Sequence, residues 1–290
     1  MFGALLKTMR PRQWPKNIFI FAALVFDKQL LIPTSLLRTI AGFVLFCMIS
    51  SAVYIFNDLA DIEADREHPE KRNRPIPSGK LPISTAWAAC ILLAVLSVGG
   101  GLLLSSTFAM VVAAYFLLNL AYSKWLKHIL ILDVLILASG FVLRVGAGVA
   151  LIHVVRFSPW LYVVMTLLSL YLGFGKRRAE LALLSDDAGT HRKVLNGYTI
   201  PLLDQYIMIV SGTTIVAYSF YTFSAPNVPA NHTMMLTIPF VVYAIFRYLY
   251  LIEVEHSGGA PEEILLSDRP FQVALALWAC VVVAVFYLSP

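Results

Sequence analysis

The chain has 290 residues, 59% of them hydrophobic and 13% charged, about half the charged share of a soluble domain. That balance excludes a water-soluble globular enzyme and points to a single domain embedded in a bilayer. The formal net charge of +5 reflects topology and an anionic leaflet, because no nucleic-acid motif accompanies it and no nucleic acid is expected as a partner.

A cleavable leader is not expected at the N-terminus: basic residues continue to Lys16 and a spanning run follows. With ~20 apolar residues needed per crossing, nine spans are predicted, at 17–34, 36–56, 82–104, 107–123, 129–152, 159–175, 200–223, 233–251 and 271–288. The first is interrupted by Asp27 and Lys28, and Pro33 kinks or ends it. Of the 22 Lys and Arg residues, only Lys28, Arg38 and Arg156 fall on one side, and Arg144 falls within a span. The others mark the cytoplasmic side, so the N-terminus is cytoplasmic and the C-terminus outside. Cys47, Cys90 and Cys280 all lie in apolar runs, which implies neither a disulfide framework nor a metal knuckle.

Two connections, about 57–81 and 176–199, are long and rich in ionisable residues, and both fall on the cytoplasmic side. Long connections in a compact bundle are usually functional. In the first, "FNDLADIEADREHPEKRNRPIPSG", the continuation of the second span as a helix puts Asn57, Asp61 and Asp65 on one stripe with Asp58 on its flank. Carboxylates so crowded repel one another unless a cation joins them. Hard oxygen ligands suit magnesium, which takes one or two carboxylates plus substrate phosphates. A solvated helix end, its acids paired with Arg66, Lys71 and Arg72, is the plain alternative. The apolar lead-in together with Asn and three aspartates favours metal–diphosphate binding. Glu63 points off the stripe into solvent. Arg72, Arg74 and the stiff "RPIPSGK" turn offer cations and free backbone N–H groups for phosphate, and a helix starting near Ser84 adds its positive end.

Arg144 is conspicuous near mid-bilayer, where a charge faces a protein interior or wet cavity. Snorkelling, a structural pair and a substrate contact all remain open for it. Asp133 sits about a turn inside the fifth span and can serve either loop, while His153 and Glu253 read as interfacial. "VGGG" (98–101) and "RVGAGVA" (144–150) read as close-packing helix surfaces. The second loop opens "YLGFGKRRAELALLSDDAGTHRKVLNGY". Lys176, Arg177 and Glu180 share one helical face there; positive flanking of the sixth span is the plain alternative. Asp186 and Asp187 look like a turn or cap, and His191, Arg192 and Lys193 form another basic cluster, for which contact with substrate and a plain flanking role both stay open.

The stretch "NDLADIEADREHPEKRNRPIPSG" resembles the first aspartate-rich motif, NDxxDxxxD, of the UbiA-type prenyltransferase superfamily. Nine spans and two long cytoplasmic loops are similar to that superfamily over essentially the whole chain. Most members carry a second motif of DxxxD type; this chain has "KRRAE" in its place. It therefore resembles the decaprenyl-phosphate phosphoribosyltransferase branch, as do "RPRQWPKN" (10–17), "AYSKWLKHILILDVLILASGFVLRVGAG" (121–148), "HRKVLNGY" (191–198) and "GGAPEEILLSDRP" (258–270).

The resemblance implies an all-α, nine-helix membrane bundle forming one domain over 1–290, set in the cell membrane with its site facing the cytoplasm. The implied reaction joins 5-phosphoribosyl 1-diphosphate to a polyprenyl (decaprenyl) phosphate and releases diphosphate, feeding arabinose supply for cell-wall arabinogalactan. Magnesium is the implied cofactor, with manganese as an alternative, held by Asn57, Asp58, Asp61 and Asp65. Asp58, Asp61, Asp65, Lys176 and Arg177 are expected to carry catalysis. Lys16, Asn17, Asn57, Arg72, Arg74, Tyr122, Lys127, Arg144, Glu180, His191 and Arg192 are expected to bind substrate. A homo-oligomer stays open.

The chemistry of the residues agrees with this reading. Donor and acceptor bring two phosphates beyond the leaving diphosphate, and Lys176 and Arg177 shift the sign of the second motif accordingly. The lipid phosphate is already anionic, so no general base is expected, and catalysis would be positioning and electrostatics in a cavity open sideways to lipid. Two rivals stand beside it: transfer of an isoprenyl chain from its diphosphate to an aromatic or lipid acceptor, and a non-enzymatic phosphate or lipid transporter. Against the transporter, charge gathers at one face and no paired broken helices are evident.

Overall fold

A computed structural model describes residues 1–154, 158–184, 193–255, 264–265 and 267–288. Among these residues there is no strand, and the helices are α1 Phe2–Met9, α2 Phe21–Phe26, α3 Pro33–Ala60, α4 Ile62–Glu67, α5 Ile83–Leu104, α6 Ser106–Lys124, α7 Leu132–Val149, α8 Pro159–Leu184, α9 Ile200–Ser224, α10 Ile238–Glu253 and α11 Arg269–Val283. Seven stretches among the described residues are long and apolar enough to cross a membrane: α3, α5, α6, α7, α9, α10 with the preceding turn from Thr233, and α11 continued to Tyr287. At 26 residues α8 also has the length, but its last third carries Lys176, Arg177, Arg178 and Glu180.

The stretch expected to form the first span, 17–34, is not one helix. A 3-10 segment, Pro11–Ile20, with Pro15 inside it, passes into α2. The chain then turns at Asp27 and Lys28, where Lys28 has φ +57°, before α3 starts with Pro33 in its first turn. Two adjacent charges and a left-handed residue end the helix where an apolar count alone carries it on.

The chain divides into two compact units. One comprises Met1–Leu24, Gln29–Ile129 and Leu143–His153. Here α3 packs on α5 and α6 around Phe46, Ile49, Ile55, Leu81, Phe108, Val112 and Leu151, which are 2% exposed or less. Small residues bring the backbones together, as expected of the glycine runs. A Cβ at Gly148 would lie 2.0 Å from the Ile20 carbonyl oxygen, and one at Gly100 would lie 2.9 Å from Leu45. Arg38 closes one end, its Nε donating to the Leu151 carbonyl.

The other unit comprises Val25–Lys28, Leu130–Val142 and Val154–Pro290. In it α8 packs on α9 and α10 on α11, around Val134, Tyr171, Leu195, Leu203, Ile207, Tyr248 and Ile252. Thr199 caps α9 and Asp268 caps α11 through their side chains, satisfying backbone donors that a helix start leaves open. In both units large apolar side chains face outward, among them Leu92, Val95 and Leu117, and Met208, Ile209 and Val273. A hydrocarbon surround accepts such side chains, since the backbone polar groups of these helices are bonded within the helices themselves.

Candidate active site

The acidic cluster lies where α3 gives way to α4. Backbone bonding runs through the junction, Asp61 N–H donating to Asn57 and Asp65 N–H to Asp61, so the helical continuation expected from the sequence holds except for a bend at Asp61. The side chains nonetheless divide in two. Asp58 and Asp65 are 2% and 3% exposed and share Arg74, whose Nη1 lies 3.2 Å from Asp58 Oδ1 and 2.7 Å from Asp65 Oδ2. Asn57 and Asp61 turn to the end of α6: Ser123 Oγ donates to Asn57 Oδ1, and Lys127 Nζ donates to both Asp61 oxygens at 2.7 and 3.0 Å. Asp58, expected on the flank, is thus a buried member of the cluster. Glu63 is exposed, as expected.

Two of the partner cations, Arg10 and Lys127, are remote in sequence. Among the described residues Arg66, Lys71 and Arg72, the local candidates, make no ion pair with the cluster, and Arg72 is exposed. Arg10 takes that place, its Nη2 2.5 Å from Asp58 Oδ1 and its guanidinium 5.0 Å from the Tyr54 ring centroid. Arg10 is held there because Trp14 Nε1 donates to Ser51 Oγ, which donates to the Met9 carbonyl, pinning the N-terminal segment to α3. Arg74 is held by its turn: Ser78 N–H donates to the Arg74 carbonyl, Leu81 N–H to that of Pro75, and buried Ile76 and Leu81 plug into the core. Gly79, at φ +76°, closes that turn as only glycine does readily.

Among the described residues no three His, Cys, Asp or Glu side chains converge as metal ligands. Asp58, Asp61 and Asp65 are paired with guanidinium and ammonium groups. The donor chemistry still fits magnesium: hard oxygens, two of them on buried carboxylates, where one or two carboxylates plus phosphate oxygens suffice.

Two further candidates meet in the same unit. Arg144, 5% exposed, donates from Nε to Asn17 Oδ1 at 2.8 Å and from Nη2 to Tyr115 Oη at 3.0 Å, with its guanidinium 5.0 Å from the Tyr115 ring. Asn17 Nδ2 in turn approaches Cys47 Sγ and Ser50 Oγ. Arg144 is therefore an interior residue that does not snorkel. Lys16 is half-buried on the 3-10 segment and Tyr122 half-buried on α6.

The second centre belongs to the other unit. Arg177 is fully buried, donating from Nε to Asp133 Oδ2 at 2.6 Å and from Nη1 to Glu180 Oε2 at 2.6 Å. Asp133 is fully buried too, and its Oδ1 accepts from Tyr198 Oη at 2.8 Å. Burial, and then the Asp133 carboxylate, push the Tyr198 phenol above its ordinary range. The expectation that both cations of "KRRAE" face phosphate changes here: Arg177 is already balanced by two carboxylates, because a guanidinium cannot be left unpaired in an interior. Lys176 is half-buried one position earlier. Next to it Arg178 pairs with Asp204 at 2.6 Å and Glu253 at 2.5 Å, so Glu253 ties α10 to α8. His191 and Arg192, with Asp186 and Asp187, lie outside the described residues, as does the whole acidic stretch 258–263.

Sequence reasoning missed Arg10 and Ser123 as cluster partners, Tyr115 as a partner of Arg144 and Tyr198 as a partner of Asp133. Arg10, Ser123 and Tyr198 lie in stretches singled out by resemblance; Tyr115 left no local signal.

Residues 17–261 match the UbiA prenyltransferase family. The chain is 36% identical to the decaprenyl-phosphate phosphoribosyltransferase of Mycolicibacterium smegmatis, covering 100% of this chain and 94% of that protein. It is 34% identical to the one from Corynebacterium glutamicum, over 99% and 87%, and 33% identical to the one from Mycobacterium tuberculosis, over 97% and 94%. Among solved structures, a UbiA homologue from Archaeoglobus fulgidus bound to GPP and Mg2+ superposes with a TM-score of 0.74. That match is 19% identical and covers 98% of this chain and 99% of that one.

Proposed function

The chain belongs to the UbiA prenyltransferase family, and on that premise we propose that it is a membrane phosphoribosyltransferase acting on a polyprenyl phosphate. The C1–oxygen bond of 5-phosphoribosyl 1-diphosphate breaks, diphosphate leaves with the electron pair, and a phosphate oxygen of the lipid forms the new bond to C1. That oxygen is anionic at neutral pH, so no residue has to take a proton. The observation that carries this reading is the "KRRAE" segment in place of a second acidic motif, in a chain alike over its full length to proteins of that activity.

The site residues are assigned accordingly. Asn57, Asp58, Asp61 and Asp65 would hold a divalent ion, magnesium first and manganese as its substitute. When bound, it supplies Lewis-acid neutralisation of the departing diphosphate. Arg10, Arg74 and Lys127 then exchange carboxylate partners for phosphate oxygens, with Arg72 beside them. Lys176 contacts a phosphoryl anion, with His191 and Arg192 assigned to the same task, and Arg177 holds the face that Lys176 and Glu180 occupy. Arg144, Asn17, Lys16 and Tyr122 bind substrate within the first unit.

The whole chain works as one transferase domain with nine spans, its N-terminus and site on the cytoplasmic side of the cell membrane. The distribution of Lys and Arg supports that orientation. Beyond the seven apolar helices, α8 and the Pro11–Phe26 stretch supply the other two. At ~2 Å per 3-10 residue and ~1.5 Å per α residue, that stretch has about 29 Å of length, close to the thickness of a hydrocarbon core. The product serves arabinose supply to the cell wall.

Purified full-length protein offered 5-phosphoribosyl 1-diphosphate with decaprenyl phosphate, and separately a prenyl diphosphate with a phenol, tests the proposal. Diphosphate release with the first pair supports it. Release with the second pair alone overturns it in favour of prenyl transfer.

A further inference from the structure

We infer that Asp133 and Tyr198 are positioning residues that set the guanidinium of Arg177 and, through it, the carboxylate of Glu180 toward the sugar donor. The inference rests on the phosphoribosyl-transfer reading above. A single path of hydrogen bonds carries it. Ile131 N–H donates to Tyr198 Oη at 2.9 Å, and Tyr198 Oη donates to Asp133 Oδ1 at 2.8 Å. Asp133 Oδ2 accepts from Arg177 Nε, and Arg177 Nη1 donates to Glu180 Oε2, each at 2.6 Å. A hydroxyl suits the middle, because its one oxygen both accepts from an N–H and donates to a carboxylate.

Burial gives the path a direction. The side chains of Asp133 and Arg177 are 0% and 1% exposed, and Tyr198 as a whole is 4% exposed, whereas the Glu180 side chain is 26% exposed. Glu180 alone among them reaches solvent or a ligand. A wholly buried ion pair is a poor source of stability, since apolar residues of like volume pack as well without the desolvation cost. What such a pair does provide is orientation, and here it orients an exposed carboxylate three residues along the same helix.

The anchor of the path is strained. Ile131 has φ +70°, a left-handed conformation that a β-branched residue adopts only when its surroundings over-determine it. They do so here. Tyr198 takes the Ile131 N–H, a Cβ at Gly197 would stand 2.9 Å from Leu130 Cδ1, and one at Gly173 would stand 2.7 Å from Val134 Cγ1. Segment 130–134 is thereby fixed to α8 on one side and to residues 197–198 on the other. A carboxylate fits poorly among phosphates but well against sugar hydroxyls, which donate to it. Glu180 is thus suited to the ribose of the donor: Arg177 engages its Oε2, and its second oxygen, Oε1, accepts no hydrogen bond among the described residues.

The test is steady-state kinetics of the full-length chain with 5-phosphoribosyl 1-diphosphate and decaprenyl phosphate, comparing wild type, Tyr198→Phe, Glu180→Gln and the double variant. Tyr198→Phe should raise the donor KM about tenfold, equivalent to a full decade in affinity, and leave the acceptor KM within about twofold. Glu180→Gln should do the same, and the double variant should match Glu180→Gln alone, because residues acting through one contact do not add. A donor KM unchanged in Tyr198→Phe, both KM values raised alike, or full additivity in the double variant overturns the inference. If Tyr198→Phe does not fold, adding Ile131→Gly relieves the strained backbone. The folded pair must still show the raised donor KM, and a wild-type value overturns the inference. A wild-type chain that transfers no phosphoribosyl group overturns the functional reading and this inference with it.

Discussion

Lys127 reaches across 66 residues of sequence to hold Asp61, its Nζ lying 2.7 Å from one carboxylate oxygen and 3.0 Å from the other. The Asp61 side chain is 43% exposed, against 2% for Asp58. It is therefore the carboxylate of the cluster whose replacement disturbs the interior least.

Asp61→Asn should accordingly keep the fold and lose the reaction. We expect transfer to fall about a hundredfold or more, the scale of a charge removed beside a metal-held leaving group, with an unchanged thermal unfolding profile in detergent. Diphosphate release and calorimetry of divalent ion binding give the two readouts, and both should drop together.

Removal of divalent ions makes a second prediction. Stripping with a chelator should abolish phosphoribosyl transfer, and magnesium should restore it, if the three carboxylates and the amide oxygen proposed as ligands close on the ion as a hard-ligand set. Manganese should restore part of the rate. Activity that survives exhaustive chelation contradicts the assignment.

Arg74 serves two buried acids at once. Arg74→Met strands Asp65 without an ion-pair partner among the described residues and leaves Asp58 with Arg10 alone, which should cost about 1–3 kcal/mol of stability, the penalty for a buried group deprived of its partner. Magnesium should then raise the unfolding temperature of the variant more than that of wild type, because the ion replaces the missing positive charge. Thermal melts with and without magnesium measure both effects.

A fourth prediction concerns pH. Arg247 donates to both oxygens of Asp268, at 3.2 and 2.7 Å, and the Phe271 N–H donates to it as well. The Arg247 guanidinium holds the Asp268 carboxyl below its ordinary value of 3.8. Its stabilising effect is full above that value and is lost as pH falls through the depressed folded value. Glu255, 3.6 Å from Arg247, is the other acid facing that guanidinium. Asp268→Asn should therefore flatten the stability profile below about pH 4 and loosen the start of α11, read by hydrogen exchange at Phe271 and Gln272.

The membrane helices were legible because each apolar run is longer than a soluble core helix requires; α3, α5 and α9 fall close to their expected places. The acidic cluster was legible because Asn57, Asp58, Asp61 and Asp65 follow such a run directly. Its partners were not. Arg10, Ser123 and Lys127 meet α3 only through tertiary packing, and ion pairs formed 48 and 66 residues apart leave no trace in local spacing. The first span misled for the opposite reason: its composition is apolar enough, and the turn at Lys28 is a matter of backbone conformation. Arg177 misled because a cation following an apolar run reads the same whether it faces water or, as here, an interior carboxylate contributed by α7.

Helix α3 has 28 residues, about 42 Å at the usual rise, against a hydrocarbon thickness of ~30 Å. On the proposed orientation its final turns, with Asn57 and Asp58, would stand at the depth of lipid headgroups. On the proposed reaction, a water-borne sugar donor and a membrane-borne acceptor can meet there without either changing phase. Turnover should then follow the mole fraction of decaprenyl phosphate in the bilayer surface, and diluting that lipid with inert phospholipid should slow the enzyme even at constant bulk concentration.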